Sequence, residues 1–195
     1  MYTVIGTVKS RALRVLWTLE ELGVPYEHVP AGPRSEDARR HNPSGKIPAL
    51  LVDGAPITDS VAIMTYLADR HGALTFPAGT LDRARQDALT HCINDEIDAV
   101  LWTAARHSFI LPEEMRLPAI KDSLRWEFER SHGRLGEALG EAPFLMGDTV
   151  TIPDLLLAHC MRWAANANFP VTDARILAHR DRMLARPAFA CAVAR

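Results

Sequence analysis

The stretch at residues 42–60, NPSGKIPALLVDGAPITDS, constrains the fold more than any other part of the chain. Its prolines and glycine predict a loop at the start, because the residue before a proline is pushed into extended backbone. An apolar run at 49–52 and the apolar Ile57 flank Asp53 and Gly54, a pair typical of a two-residue hairpin turn. Asp59 or Ser60 then caps a helix. The stretch therefore predicts a loop, a strand, a tight turn, a second strand and a helix.

The residues before this stretch predict two further strands with a helix between them. The strands are Tyr2–Ile5 and Tyr26–Val29. The helix begins after Ser10, a residue type common at N-caps, and ends near Leu22, where Gly23 supplies a C-cap signal. This order of elements is that of a thioredoxin-like domain, in which the first two strands run parallel and are joined by a right-handed crossover.

The pattern changes beyond a linker at about residues 77–82. Residues 81–107 contain no helix breaker and predict a long helix, and residues 119–139 predict a second one. Both exceed the usual helix length, which indicates a helical bundle. Further on, Thr151 and Asp154 have the spacing of a capping box with Asp in place of Glu. We therefore expect a second, all-helical domain.

Composition limits the classes of partner. The chain has 195 residues, a net charge of −2 and 48% hydrophobic residues, so it carries no electrostatic signature of nucleic acid or anionic membrane binding. No apolar stretch reaches the ~18 residues that a membrane span needs. The three cysteines, Cys92, Cys160 and Cys191, are far apart, which favours a reducing cytoplasm over a disulfide framework. The histidines and carboxylates show no metal-ligand spacing, so we expect no metal.

Two of these motifs together resemble the cytosolic glutathione transferases. Residues 42–50 with Asp59 and Ser60 match the signature "NPxGKVPxL…ES" of their N-terminal domain, with Asp59 in place of the commoner Glu. Residues 147–154 match the "GDxxTxAD" motif of their C-terminal domain, with Pro153 in place of Ala. The resemblance covers essentially the whole chain. It implies an α/β thioredoxin-like N-terminal domain, an all-α C-terminal helical bundle and a homodimer.

The resemblance also implies domain bounds and a binding site. The N-terminal domain would span residues 1–76 and bind glutathione, and the helical domain would span residues 83–195. The bond between Ile47 and Pro48 would be cis, and the backbone of Ile47 would pair with the cysteinyl portion as an added strand. Asp59 and Ser60 would hold the γ-glutamyl end, although a helix cap alone also accounts for both residues. Lys46 would meet the glycine carboxylate, with helpers among Arg34, Arg39 and Arg40.

The chemistry requires the glutathione thiol to be ionised. Lowering its pKa by about two units from ~8.5 requires roughly 2.7 kcal/mol, which one hydrogen bond to the thiolate supplies. Ser10 at the start of the first helix is the first candidate for this hydrogen bond, because it matches the layout of the family's serine-type members. A plain N-cap is the alternative role for Ser10, and Thr7 is the second candidate for the donor. We do not expect a tyrosine as the donor, because Tyr2 lies too early in the chain, before the end of the first strand. We do not expect a cysteine nucleophile either, because the N-terminal domain contains no cysteine.

The resemblance implies an enzyme that conjugates glutathione to a small hydrophobic electrophile. Two alternatives stay open, namely another glutathione-dependent activity (isomerase, lyase or peroxidase) and a non-catalytic glutathione-binding module. The second substrate would lie against the helical domain, where His107 is a candidate base. Aromatic residues at helical spacing are more typical of a packed core than of a pocket. The aromatic residues that are available to line such a pocket are Trp102, Phe109, Trp163 and Phe169.

Overall fold

The computed structural model describes all residues, Met1–Arg195, and they form two compact units. The first unit comprises Met1–Arg83 together with Leu184–Arg195, and the second comprises Ala84–Met183. The first unit contains four strands, β1 (Tyr2–Ile5), β2 (Tyr26–Val29), β3 (Ala49–Val52) and β4 (Ala55–Thr58). Its helices are α1 (Ala12–Leu22), α2 (Glu36–His41), α3 (Ser60–His71) and the C-terminal α9 (Pro187–Val193). The division into folding domains at residues 76 and 83 stays a prediction.

The sheet of the first unit has the strand order β2-β1-β3-β4. β1 runs parallel to β2 and antiparallel to β3, and β3 runs antiparallel to β4. The parallel arrangement of the first two strands confirms the sequence prediction. The hairpin turn is also confirmed, because Asp53 and Gly54 have positive φ values of 50° and 88° between β3 and β4.

Helix α1 is the centre of the packing in the first unit. It contacts β1, α3 and α9. Its apolar side chains from Ala12 to Leu19 are buried, as are Val4 of β1, Leu50 of β3 and Ile63 of α3. The helix ends at Gly23, which adopts the left-handed conformation with φ 64° and confirms the predicted C-cap. The C-terminal end of α1 is therefore closed by a left-handed cap.

The C-terminal segment packs on the end of α1, which the sequence analysis did not foresee. The Trp17 and Phe189 rings meet edge-on, with centroids 4.8 Å apart. Arg186 donates two hydrogen bonds to the carboxylate of Glu21, at 2.6 and 2.7 Å. The Glu21 side chain is only 5% exposed, so this ion pair is largely shielded from water. These contacts explain why residues 184–195 group with the first unit.

The second unit consists of long helices. The helical backbone is continuous from α4 through two π-helical segments, which confirms the predicted long helix, and α6 confirms the second one. The elements are α4 (Leu81–Ile93), a π segment (Asn94–Asp98), α5 (Ala99–Ala105), a second π segment (Arg106–Ile110), a 3₁₀ turn (Glu113–Met115), α6 (Ile120–Leu139), α7 (Ile152–Asn166) and α8 (Ala174–Leu184). None of the helices in the chain is both long enough and apolar enough to cross a membrane.

The start of α7 carries the predicted capping box. The Thr151 amide and hydroxyl both donate to Oδ2 of Asp154, at 2.8 and 2.9 Å. The other carboxylate oxygen, Oδ1, accepts from the Leu145 amide at 2.8 Å and from Nε2 of His179 at 2.9 Å. Thr151, Asp154 and His179 are fully buried. One carboxylate therefore joins α7, α8 and the loop before α7.

Candidate functional site

The candidate site lies at one end of the sheet in the first unit. Ile5 pairs with Ala49 between β1 and β3, and Ala49 pairs with Thr58 between β3 and β4. The next residues along these strands are Gly6, Pro48 and Asp59, which consequently neighbour one another. The Ile47–Pro48 bond is cis, as the resemblance implied. Two of the motif positions, Pro48 and Asp59, thus meet Gly6 at one end of the sheet.

Gly6 allows the chain segments at this edge to approach closely. Its φ is +146°, and a Cβ at this position would lie 2.7 Å from the Cβ of Ala12 and 3.3 Å from that of Ile47. Its amide donates to the Val29 carbonyl at 2.9 Å, and its carbonyl accepts from Nε2 of His28 at 2.7 Å. The sequence analysis missed both Gly6 and His28, although a glycine directly after a buried strand is a signal of close approach.

Ile47 presents a backbone that is open to a ligand. Neither its amide nor its carbonyl has a hydrogen-bond partner within the chain. The loop before it is well fixed, since the Asn42 side chain donates to the Lys46 carbonyl at 2.9 Å and the Arg34 amide donates to the Gly45 carbonyl at 2.8 Å. Unpaired backbone groups beside a strand are where an extended peptide adds.

Asp59 caps α3 with one carboxylate oxygen and has the other one free. Oδ1 accepts from the amides of Val61 and Ala62 at 2.9 and 3.0 Å. The residue is exposed, and its backbone has φ 72° and ψ 125°, which is unusual for a residue other than glycine. Strain of this kind costs of order 1–3 kcal/mol and clusters at ligand-binding sites.

Ser60 follows as the first residue of α3 and is 3% exposed. Its hydroxyl accepts from Nη1 of Arg14 at 3.3 Å. Arg14 lies on α1 and is fully buried, so the structure places a cation directly behind the α3 N-terminus. The sequence analysis did not identify Arg14, because nothing in its local sequence separates it from the surface arginines of the chain.

The structure separates the candidate cations of the loop into two groups. Lys46, Arg34 and Arg39 are exposed, and none of the three forms an ion pair within the chain. The backbone bond between Arg34 and Gly45 holds Arg34 and Lys46 on the same loop. Arg40 instead pairs with Glu36 at 3.1 Å and with Asp37 at 3.4 Å. Lys46 and Arg34 are therefore available for an external carboxylate.

The two candidate hydroxyls lie in the turn between Gly6 and α1. The Ser10 hydroxyl donates to the Thr7 carbonyl at 2.7 Å and accepts from the Ala12 amide at 3.1 Å. The Thr7 hydroxyl accepts from the Lys9 amide at 3.4 Å. Both side chains are partly exposed. The structure thus places both hydroxyls directly after the strand end that meets Ile47 and Pro48.

The candidates of the second unit have different environments. Phe169 is 2% exposed and packs edge-on against Phe128, with centroids 5.6 Å apart, so it belongs to the core. Phe109 is 66% exposed. Nδ1 of His107 accepts from the Leu117 amide at 3.2 Å, which removes this nitrogen as a base. The chain contains no group of three His, Cys, Asp or Glu side chains placed to hold a metal ion.

The chain is similar to several known proteins. A family model described as "Glutathione S-transferase, N-terminal domain" matches residues 10–70. The glutathione S-transferase GstA of Escherichia coli O157:H7 is 31% identical over 150 residues, which is 75% of this chain and 71% of the relative. The chain belongs to the glutathione S-transferase family.

Other members of the family extend the comparison. A maleylacetoacetate isomerase of Rhizobium meliloti (strain 1021) is 35% identical over 97 residues, covering 47% of this chain and 46% of the relative. The crystal structure of a glutathione transferase from Methylococcus capsulatus str. Bath has a TM-score of 0.86 at 25% identity, covering 100% of this chain and 98% of that one. The predicted fold class, a thioredoxin-like part with a helical part, is thereby confirmed.

Proposed function

We propose that this protein is a glutathione transferase that conjugates glutathione to a small hydrophobic electrophile. The observation that carries the proposal is the set of unused binding groups at one end of the sheet. The Ile47 backbone is unpaired, and Asp59, which neighbours Pro48 across the strands, has one free carboxylate oxygen. These groups match the parts of an extended peptide with a free amino terminus.

In this proposal each part of glutathione has a chemically complementary partner. The γ-glutamyl ammonium binds the free oxygen of Asp59, and its carboxylate binds the Ser60 hydroxyl at the α3 N-terminus, where the helix dipole and Arg14 favour an anion. The cysteinyl portion pairs with the backbone of Ile47. The glycine carboxylate binds Lys46, assisted by Arg34.

The thiol is activated by a hydroxyl of the turn at residues 7–10. Ser10 is the first candidate from the sequence, and Thr7 is the second. A hydrogen bond to a charged group contributes about 1.5–3 kcal/mol, which corresponds to about one to two pKa units of the thiol. The start of α1 adds a smaller favourable dipole term.

A glutathione-dependent isomerase is the second candidate function. The maleylacetoacetate isomerase named above supports it, because that relative is 35% identical to this chain over 97 residues. Both functions use the same glutathione site and differ in the second substrate. For either function, we propose that the protein is a homodimer in a reducing cytoplasm. The family supports the dimer, and three cysteines without a disulfide fit a reducing compartment.

The test compares Asp59→Asn with Ser35→Ala. The asparagine keeps an oxygen for the α3 cap and removes the negative charge, so we expect glutathione affinity to fall about 10- to 100-fold, as measured by calorimetry. Ser35 caps α2 through the Ala38 amide at 3.2 Å, so Ser35→Ala removes a cap in the same unit and should bind glutathione normally.

Turnover is measured on the same samples with a chromogenic electrophile. Wild-type protein that binds glutathione and forms the conjugate supports the transferase. Binding with turnover of a cis-enone substrate alone supports the isomerase, and binding without turnover supports the non-catalytic module. Wild-type protein that does not bind glutathione refutes the proposal as a whole, and wild-type affinity in Asp59→Asn refutes the role of Asp59.

A further inference from the structure

We propose that the hydroxyl of Thr7 donates the activating hydrogen bond to the glutathione thiolate, and that Ser10 is a positioning residue for Thr7. This inference rests on the proposed function and reverses the order of the two candidates. It follows from the hydrogen bonds of the turn that joins β1 to α1. A hydroxyl has one hydrogen, so the acceptor of that hydrogen decides what else the group can do.

The hydrogen of the Ser10 hydroxyl already has an acceptor within the chain. It is donated to the Thr7 carbonyl at 2.7 Å, which is the usual length of a good O–H···O bond. The same oxygen accepts from the Ala12 amide at 3.1 Å, which satisfies one of the unpaired amides at the start of α1. Ser10 would have to break the bond to Thr7 before it could donate to a thiolate.

The hydroxyl of Thr7 has its hydrogen available. Its oxygen accepts one long bond from the Lys9 amide at 3.4 Å, and no group of the chain accepts its hydrogen. Thr7 also follows Gly6 directly, and this strand end packs so closely on Ile47 that a Cβ added at Gly6 would lie 3.3 Å from the Ile47 Cβ. Ile47 is the residue whose backbone pairs with the cysteinyl portion in our proposal, so the thiol enters next to Thr7.

Several hydrogen bonds fix the backbone on both sides of Thr7. Before it, the Gly6 amide donates to the Val29 carbonyl at 2.9 Å and His28 donates to the Gly6 carbonyl at 2.7 Å. After it, the Thr7 carbonyl accepts from both the amide and the hydroxyl of Ser10, at 3.1 and 2.7 Å. A donor held in place before the ligand arrives stabilises an anion without reorganisation. Ser10 therefore acts through Thr7.

The experiment measures the ultraviolet thiolate absorbance of bound glutathione against pH. Thr7→Val removes the hydroxyl with little change in volume and should raise the thiol pKa by about 1–2 units. At pH values below the wild-type thiol pKa, kcat should therefore fall about 10- to 100-fold. Thr7→Ser restores a hydroxyl and should bring the pKa back to near the wild-type value. Ser10→Ala should raise the pKa less than Thr7→Val does, while it lowers the melting temperature because a bond at the α1 N-terminus is lost.

The outcomes separate this inference from the proposed function. If Thr7→Val keeps the wild-type thiol pKa, or if Ser10→Ala raises it more than Thr7→Val does, the assignment is overturned and the transferase stands. If wild-type protein binds glutathione with the thiol pKa of free glutathione, neither hydroxyl activates it and both the assignment and the transferase fail. Should Thr7→Val not fold, Thr7→Ala gives the same comparison with Thr7→Ser.

Discussion

Asp154→Ala tests whether the buried carboxylate at the start of α7 holds the second unit together. Asp154 is fully buried and accepts four hydrogen bonds, two at each carboxylate oxygen. Alanine removes all four acceptor positions at once and leaves the donors in a place that water does not reach freely. We expect a large loss of stability with no direct effect on the proposed glutathione site, since Asp154 belongs to the second unit.

The magnitude follows from the separate bonds. Loss of the capping box with Thr151 costs about 0.5–2 kcal/mol. The buried Leu145 amide and the Nε2 of His179 lose their acceptor, at about 1–3 kcal/mol each. Because the structure relaxes in part, we expect the free energy of unfolding to fall by about 3–5 kcal/mol, at the upper end for a single substitution.

Urea denaturation followed by far-ultraviolet circular dichroism measures this loss. Asp154→Asn keeps the volume and one acceptor oxygen, so its loss should be about half that of Asp154→Ala. Ser35→Ala removes a surface cap and should cost about 1 kcal/mol. If Asp154→Ala costs no more than Ser35→Ala, the four-bond network does not stabilise the protein and the reasoning is refuted.

Three further substitutions test other parts of the fold. Gly6→Ala places a methyl group against the start of α1 at φ +146°, so we expect about 2–4 kcal/mol of destabilisation in urea and weaker glutathione binding. Phe189→Ala removes the ring that packs on Trp17 and should cost about 1–3 kcal/mol, with red-shifted tryptophan emission. The hydrogen bonds from Arg175 lower the pKa of Asp173 from 3.8 to about 2. This carboxylate stabilises the fold at pH values above its ordinary pKa and loses that contribution as the pH falls towards 2. Asp173→Asn should therefore reduce the change in the free energy of unfolding between pH 3.8 and about 2.

Matched substitutions decide how these results are interpreted. Gly32 has no atom within 4 Å of an added Cβ, so Gly32→Ala should be nearly neutral. Phe109→Ala removes an exposed ring and should change stability by less than about 0.5 kcal/mol. Asp122→Asn breaks an exposed ion pair with Arg125 and should leave the acid dependence unchanged. Any of the three main substitutions that behaves like its control contradicts the contact assigned to it.

The strands, turns and caps of this chain were predictable because their signals are local. Asp53 and Gly54 specify a tight turn through their tolerance of positive φ, and Gly23 ends α1 for the same reason. Thr151 and Asp154 are three residues apart, so their bond depends only on the helix geometry between them. The site motif was predictable from its resemblance to a family, and the structure brings its residues to one sheet end.

The long-range contacts were not predictable, because no local pattern encodes them. Arg186 and Glu21 are 165 positions apart, and nothing near either residue indicates the other. The bond from Arg14 to Ser60 likewise joins two helices through side chains that, alone, predict a surface charge and a cap. The two hydroxyls of the turn illustrate the same limit. The sequence shows that Ser10 and Thr7 are both close to α1, but the acceptor of each hydroxyl hydrogen depends on the folded backbone.

Two aspartates at helix N-termini show how hydrogen-bond use separates a carboxylate that the fold occupies from one that is available to a ligand. Asp154 is buried, and both its oxygens are fully occupied by donors of the chain, so it has nothing left to offer a ligand. Asp59 is exposed, uses one oxygen for its cap and holds a strained backbone that the α3 cap alone does not require. The same contrast distinguishes Arg40, which is paired, from Arg34, and Ser10 from Thr7. At this sheet end, the groups that the fold leaves unused are the ones to which we assign glutathione.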